Sequence, residues 1–265
     1  MRRLLAILLM PALIAAAPAP TPKRIVSLNL CADQYLMALA DRGQIVALSR
    51  NARDPSMSAD AAQARRYSIT RGGAEDVLAL RPDLIVAAPG RIDAATTALR
   101  GRARTLDVPP ANSYAEIIDQ VRTIAAAVGH PARGEALIAH MNAQLGTVPK
   151  DAGRGRTAAY YQRRGYLTGA GTLVDELLRR VGLRNLAATL GKPALSRIGL
   201  EELARAQPDY LVVETETDRI SDQGTEMLHH PVLASIPRIR LPQSWTVCGG
   251  PAYVRAARSI AAQLR

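Results

Sequence analysis

Phenylalanine is absent from the 265 residues, tryptophan occurs once and cysteine only twice. Two cysteines, Cys31 and Cys248, are too few for a disulfide scaffold and too few for a typical zinc cluster. Beyond the first residues no apolar run approaches the roughly 20 needed to span a bilayer. HExxH, GxSxG and P-loop signatures are missing, and His130, His140, His229 and His230 show no metal-like spacing. Acidic residues are in deficit, 23 against 34 lysines and arginines, for a net charge of +11. That balance suits nucleic acid, an anionic ligand or anionic lipid. The arginines are scattered (Arg65, Arg102, Arg133, Arg205), however, and read as a solvated surface rather than a nucleic-acid stripe.

The chain opens with MRRLLAILLMPALIAAAPAP: two arginines, an apolar run broken at Pro11, then small residues. This is the pattern of a secretory signal, expected over residues 1–19 with the cut near Ala17 to Ala19. Export places the remainder in an oxidising compartment and argues against nucleic acid.

Short apolar stretches such as RIVSLNL and QIVALS alternate with amphipathic ones such as ADQYLMALA and AEDVLAL. Strands alternating with helices imply parallel pairing, hence an α/β lobe over residues 23–112. Residues 113–150 contain only alanine-rich helical patterns, SYAEIIDQVRTIAAAVG and PARGEALIAHMNAQLGTV, split by Gly129 and Pro131. From TAAYYQ onward the α/β pattern resumes and fills residues 151–265. The expected architecture is two parallel-sheet α/β lobes joined by a long, rigid backbone helix within Pro131 to Val148.

One phrase is written twice. EDVLALRPDLIVA begins at Glu75 and EELARAQPDYLVV at Glu201, with glutamate and proline each repeated 126 positions on. In each, a helix ends before Pro-Asp and a strand follows, because proline disfavours helical geometry in the residue before it. Such a phrase is also an economical way to build any parallel sheet.

Together with RIVSLNLCADQYLMALA and GGAEDVLALRPDLIVA, this organisation resembles the periplasmic substrate-binding proteins of bacterial ABC importers. The resemblance is to the group that takes up vitamin B12, haem and ferric siderophores, and it covers about residues 23–265. It implies a periplasmic monomer, without a cofactor of its own, that holds a corrinoid, haem or ferric siderophore between its lobes. It also implies delivery to a permease dimer in the inner membrane, with Glu75 and Glu201 as the docking anions on the two lobes. Two equivalent permease pockets require two pseudo-equivalent anions, and charge-assisted contacts to arginine supply orientation. The plainer reading is that both glutamates favour the positive N-termini of their helices, worth about 0.3–1 kcal/mol each.

Ligands of α/β lobes gather beyond the carboxyl ends of the strands. The loops there supply Asn29, Leu30 and Cys31; Ser49 and Arg50; Gly90 and Arg91; Tyr161 and Arg163; and Ser244, Trp245 and Cys248. Trp245 is a flat stacking surface or a core residue, and Arg91 and Arg163 are anion contacts or solvated surface. The chain departs from the many-ringed cleft expected of a B12 binder; Ala88 and Ile69 stand where rings are expected, and Tyr35, Tyr67, Tyr161 and Tyr166 are the substitutes available. Three fates are open for Cys31 and Cys248: a disulfide between the lobes, free thiols against the ligand, or thiolate ligation of metal. An exported enzyme acting on a small molecule or on cell-wall material is the alternative function.

Overall fold

The computed structural model describes residues 20–89, 97 and 101–264. The expected leader, residues 1–19, lies outside them, as do Gly90 and Arg91. None of the described helices is long and apolar enough to cross a membrane.

The first sheet contains β1 (Ile25–Ser27), β2 (Ile45–Ala47), β3 (Leu84–Ala87) and β4 (Arg104–Asp107), in the order β2-β1-β3-β4 and wholly parallel. Strands β1, β2 and β3 are apolar on successive residues because both faces are covered, whereas the edge strand β4 is polar and mostly exposed. Ile25 faces the main core, whereas Val26 packs with Val77 and Ile85 on the other side. Helix α1 (Leu30–Leu39) follows β1, the short α2 (Ala61–Ala64) follows β2, and α3 (Ala74–Ala79) precedes β3.

Two antiparallel helices come next, α4 (Tyr114–Ala127) and α5 (Pro131–Gly146). Ser113 caps α4 by accepting from the Glu116 amide. Pro131 starts α5, where its missing N–H costs nothing. A Cβ at Gly134 would meet that of Ala125 at 2.6 Å, so glycine there permits the close approach of the two helices. At 16 residues α5 is about 24 Å long. Its beginning is pinned to the first lobe by Arg133, which donates to the Leu39 carbonyl and to Asp41. Beyond its end, Val148 and Pro149 share a groove with Trp245, Arg255 and Arg258 of the second lobe. The helix therefore runs from one lobe to the other.

The second sheet has six strands: β5 (Thr157–Gln162), β6 (Tyr166–Thr168), β7 (Arg184–Asn185), β8 (Leu195–Arg197), β9 (Tyr210–Glu214) and β10 (Arg238–Leu241). Strands β10, β9 and β5 are parallel, and β7 joins β5 in the same sense. The expectation of a wholly parallel sheet fails here: β5, β6 and β8 are antiparallel neighbours. A three-residue turn, Arg163–Gly165, separates β5 from β6, and so short a connection permits only an antiparallel return. Helices α6 (Leu173–Arg180), α7 (Leu186–Thr189), α8 (Leu200–Ala206), α9 (Gln223–Glu226) and α10 (Tyr253–Gln263) complete the lobe. One hydrophobic cluster runs from Ile25 and Leu36 through Ile117, Val121 and Ile138 to Tyr160, Ile239 and Tyr253. The helical connector thus shares its core with both lobes.

Candidate functional site

At the carboxyl end of β1 the chain turns through Asn29, whose side-chain oxygen accepts from the amides of Cys31 and Ala32 and caps α1. Asn29 and Leu30 line a cavity of about 460 Å³ together with Ser49, Arg50, Arg71 and Ala88. Beneath it Asp33 is fully buried and accepts from the Ser49 amide (3.0 Å) and hydroxyl (2.5 Å). Burial pushes the Asp33 carboxyl up from its ordinary 3.8 to about 6, against the serine hydrogen bonds that pull it down. The loop anchoring Ser49 is thereby tied to the helix that Asn29 begins.

The second wall lies at the carboxyl ends of β5 and β9. Tyr160, Gln162, Thr246 and Val247 line one cavity of about 210 Å³ with Glu214. Arg163, Arg164, Tyr166 and Asp222 line another of about 370 Å³, again with Glu214, Gln162 and Gln243. Tyr161, the tyrosine expected to line the cleft, is fully buried in the second core cluster, its hydroxyl donating to the Ile198 carbonyl. Its neighbour Tyr160 faces the cavity and donates to Glu214 at 3.2 Å. Side chains alternate along a strand, so an assignment off by one residue selects the wrong face. Burial, and then the Glu214 charge, raise the Tyr160 phenol above its ordinary value, which keeps it a donor.

Cys31 and Cys248 are disulfide-bonded with Cα atoms 5.3 Å apart, so neither is a free thiol or a metal ligand. The bond sits between the walls: Leu30 borders the first cavity, and Val247 borders the second. Nearby, Tyr35 donates across the lobes to the Gly249 carbonyl. Gly249 packs so close to Ala111 that any Cβ would collide with its carbonyl oxygen.

Several other expected contacts are not assembled there. Ser244 is buried, and Trp245 faces the separate groove beside Val148, Arg255 and Arg258. Both belong to a 3-10 turn, Gln243–Trp245, and it is Gln243 that borders the cleft cavities. Tyr35 and Tyr67 are buried, leaving Tyr166 as the exposed ring of the proposed substitutes, with the Arg197 guanidinium 5.3 Å from its centroid. All four histidines are engaged elsewhere: His130 with Asp41, His140 with Gln144, His229 with the Thr217 carbonyl and His230 with the Val232 amide. Sequence reasoning missed Glu214.

Glu75 and Glu201 are both exposed, and each is the second residue of its helix after a glycine N-cap, Gly73 or Gly199. The repeated phrase is structural as well. Arg81 and Gln207 both adopt positive φ, 45° and 44°, rather than the extended geometry expected before proline. Asp83 then accepts from the amides of Lys23 and Arg24 at the start of β1, and Asp209 accepts from the Thr157 amide and hydroxyl at the start of β5.

The family described as "Periplasmic binding protein" matches residues 25–240. A protein named "Cobalamin-binding protein", from two strains of Halobacterium salinarum, is 26% identical over 222 residues, covering 78% of this chain. The chain spans 58% of the length of those relatives. Among solved structures, the periplasmic heme-binding protein RhuT of Roseiflexus sp. RS-1 superposes with a TM-score of 0.70 at 23% identity, covering 92% of this chain and 99% of that one. An ABC-type Fe3+-hydroxamate transport protein of Saccharomonospora viridis gives 0.68 at 18% identity, covering 92% and 93%. At these identities the structural likeness establishes the fold.

Proposed function

The chain belongs to the periplasmic binding protein family, and from that premise we propose that it captures a metal chelate between its lobes for an ABC importer. The chelate is a corrinoid, haem or ferric siderophore, and the protein works as an exported monomer. The observation that carries this reading is the meeting of two polar walls, each at the carboxyl ends of parallel strands, on either side of the Cys31–Cys248 bond. The histidines are all held away from those walls, which favours a chelate whose metal needs no histidine from the protein.

Delivery follows from the other face of the repeat. Glu75 and Glu201 present one exposed carboxylate per lobe at matched positions, which suits a permease dimer with two equivalent cationic pockets. Neither residue lines a cleft cavity, so capture and delivery use separate surfaces.

Equilibrium dialysis of the oxidised, full-length protein against cyanocobalamin, haem and ferric siderophores, read by ligand absorbance, tests the proposal. Stoichiometric retention of at least one is expected. Retention of none would refute it.

A further inference from the structure

Glu214, Gln162 and Gln243 line both cavities of the second wall. Glu214 ends β9 and is only 2% exposed. Its Oε1 accepts from the Tyr160 hydroxyl at 3.2 Å and from Gln162 Nε2 at 2.7 Å. Its Oε2 has no donor among the described residues, and neither does the Gln243 side chain. That oxygen is not sealed off from the cleft, so water is its donor when the cleft is open. A bound molecule that supplies an N–H there takes the place of that water.

We propose that Glu214 is the specificity determinant of the cleft, accepting a hydrogen bond from an uncharged N–H group on the rim of the ligand. Resting on the chelate-binding reading above, this selects chelates fringed with primary carboxamides, as corrinoids are, over those fringed with carboxylates, as haem is. A ligand carboxylate brought to Glu214 meets a like charge and is disfavoured relative to a neutral donor. A carboxamide meets a fixed acceptor instead. Tyr160 and Gln162 hold the carboxylate in place before the ligand arrives, so no ordering is left to the moment of binding. Arg50 and Arg71 border the cavity of the opposite wall, which suits an anionic group such as a phosphodiester, whereas on the second wall Arg163 and Arg164 share the outer cavity with the Glu214 acceptor. The walls together fit a ligand whose anionic groups meet arginines and whose amide donors reach Glu214.

The test compares cyanocobalamin with haem on the oxidised wild-type protein and on Glu214→Gln, Glu214→Ala and Gln243→Ala. Wild type is expected to bind cyanocobalamin in preference to haem. Glu214→Ala should weaken cyanocobalamin about 10-fold or more, the worth of a hydrogen bond to a buried charge. Glu214→Gln, which keeps the shape and one acceptor, should lose less and should gain haem binding as the negative charge disappears. Gln243→Ala touches no internal hydrogen bond of its side chain, so it keeps the fold; it should weaken cyanocobalamin about 3- to 10-fold. Cyanocobalamin affinities within about two-fold of wild type in all three variants would overturn the proposal. So would wild type preferring haem, while leaving the chelate reading standing. Failure of wild type to bind cyanocobalamin, haem or any ferric siderophore would remove both.

Discussion

The two lobes begin their sheets in the same way and finish them differently. Each sends a helix into a left-handed residue, a proline and an aspartate that caps the lobe's first strand. Beyond the strands, the first lobe offers Arg50 and Arg71 above a buried Asp33, whereas the second sets the Glu214 carboxylate and two glutamines beside Arg163 and Arg164. The recurring helix, Pro-Asp and strand phrase accounts for the shared part of the scaffold and for the matched glutamates outside. The cleft chemistry sits in loops and strand ends free to diverge, because no symmetric partner acts on them.

The largest expected effect comes from separating the lobes. Replacing Cys31 and Cys248 by serine removes a cross-link between residues 217 positions apart and should lower the free energy of unfolding by about 2–5 kcal/mol. Chemical denaturation measures it. An unchanged midpoint would mean that the shared helical core alone couples the lobes.

Next is the symmetry of docking. Glu75→Ala and Glu201→Ala should each cost about 2–5 kcal/mol of affinity for the permease if the contacts are desolvated. Ligand affinity should stay unchanged in both. Unequal losses, or normal uptake by the double variant, would break the equivalence and leave the repeat a folding device.

A feature of the first lobe gives the third prediction. The folded protein holds the Asp33 proton to about pH 6, whereas the unfolded chain releases it near 3.8. Between those values the folded state binds the extra proton, so stability falls as pH rises, by about 3 kcal/mol in all. The contribution is flat below and above that window. Asp33→Asn should remove the slope, and unfolding curves from pH 4 to 7 would reveal a slope that persists.

The smallest effects test the shared scaffold. Asp83→Ala and Asp209→Ala each leave strand-initiating amides without their side-chain acceptor, at about 1 kcal/mol apiece given their access to water. Similar losses in the two lobes are expected from thermal melts. A loss confined to one lobe would show that the likeness of the phrases is formal only.

Much of this organisation was legible beforehand, for identifiable reasons. Helix, Pro-Asp and strand are local signals, and their recurrence 126 positions apart exposed the doubling. The strand-free stretch before Val148 located the bridging helix. The positive φ of Arg81 and Gln207 was hidden, since neither is a glycine. The β6 and β8 pair was hidden as well, because three-residue strands carry almost no periodicity. Tyr160 and Tyr161 were indistinguishable in TAAYYQ because β5 is buried on both faces. Trp245 misled because a 3-10 turn aims neighbouring residues in different directions, and Glu214 went unremarked because it is followed closely by Glu216 and Asp218 and nothing local sets it apart from them.

The Cys31–Cys248 bond also sets an order of events. The two cysteines lie 217 positions apart, so the thiol of Cys31 must wait for both sheets to be made before its partner exists. With two cysteines there is a single intramolecular pairing, and an oxidase suffices where many exported proteins also need an isomerase to correct mistakes. A chain truncated before residue 248 has no partner for Cys31, which makes this bond a chemical mark that the second lobe has been made through to its last loop.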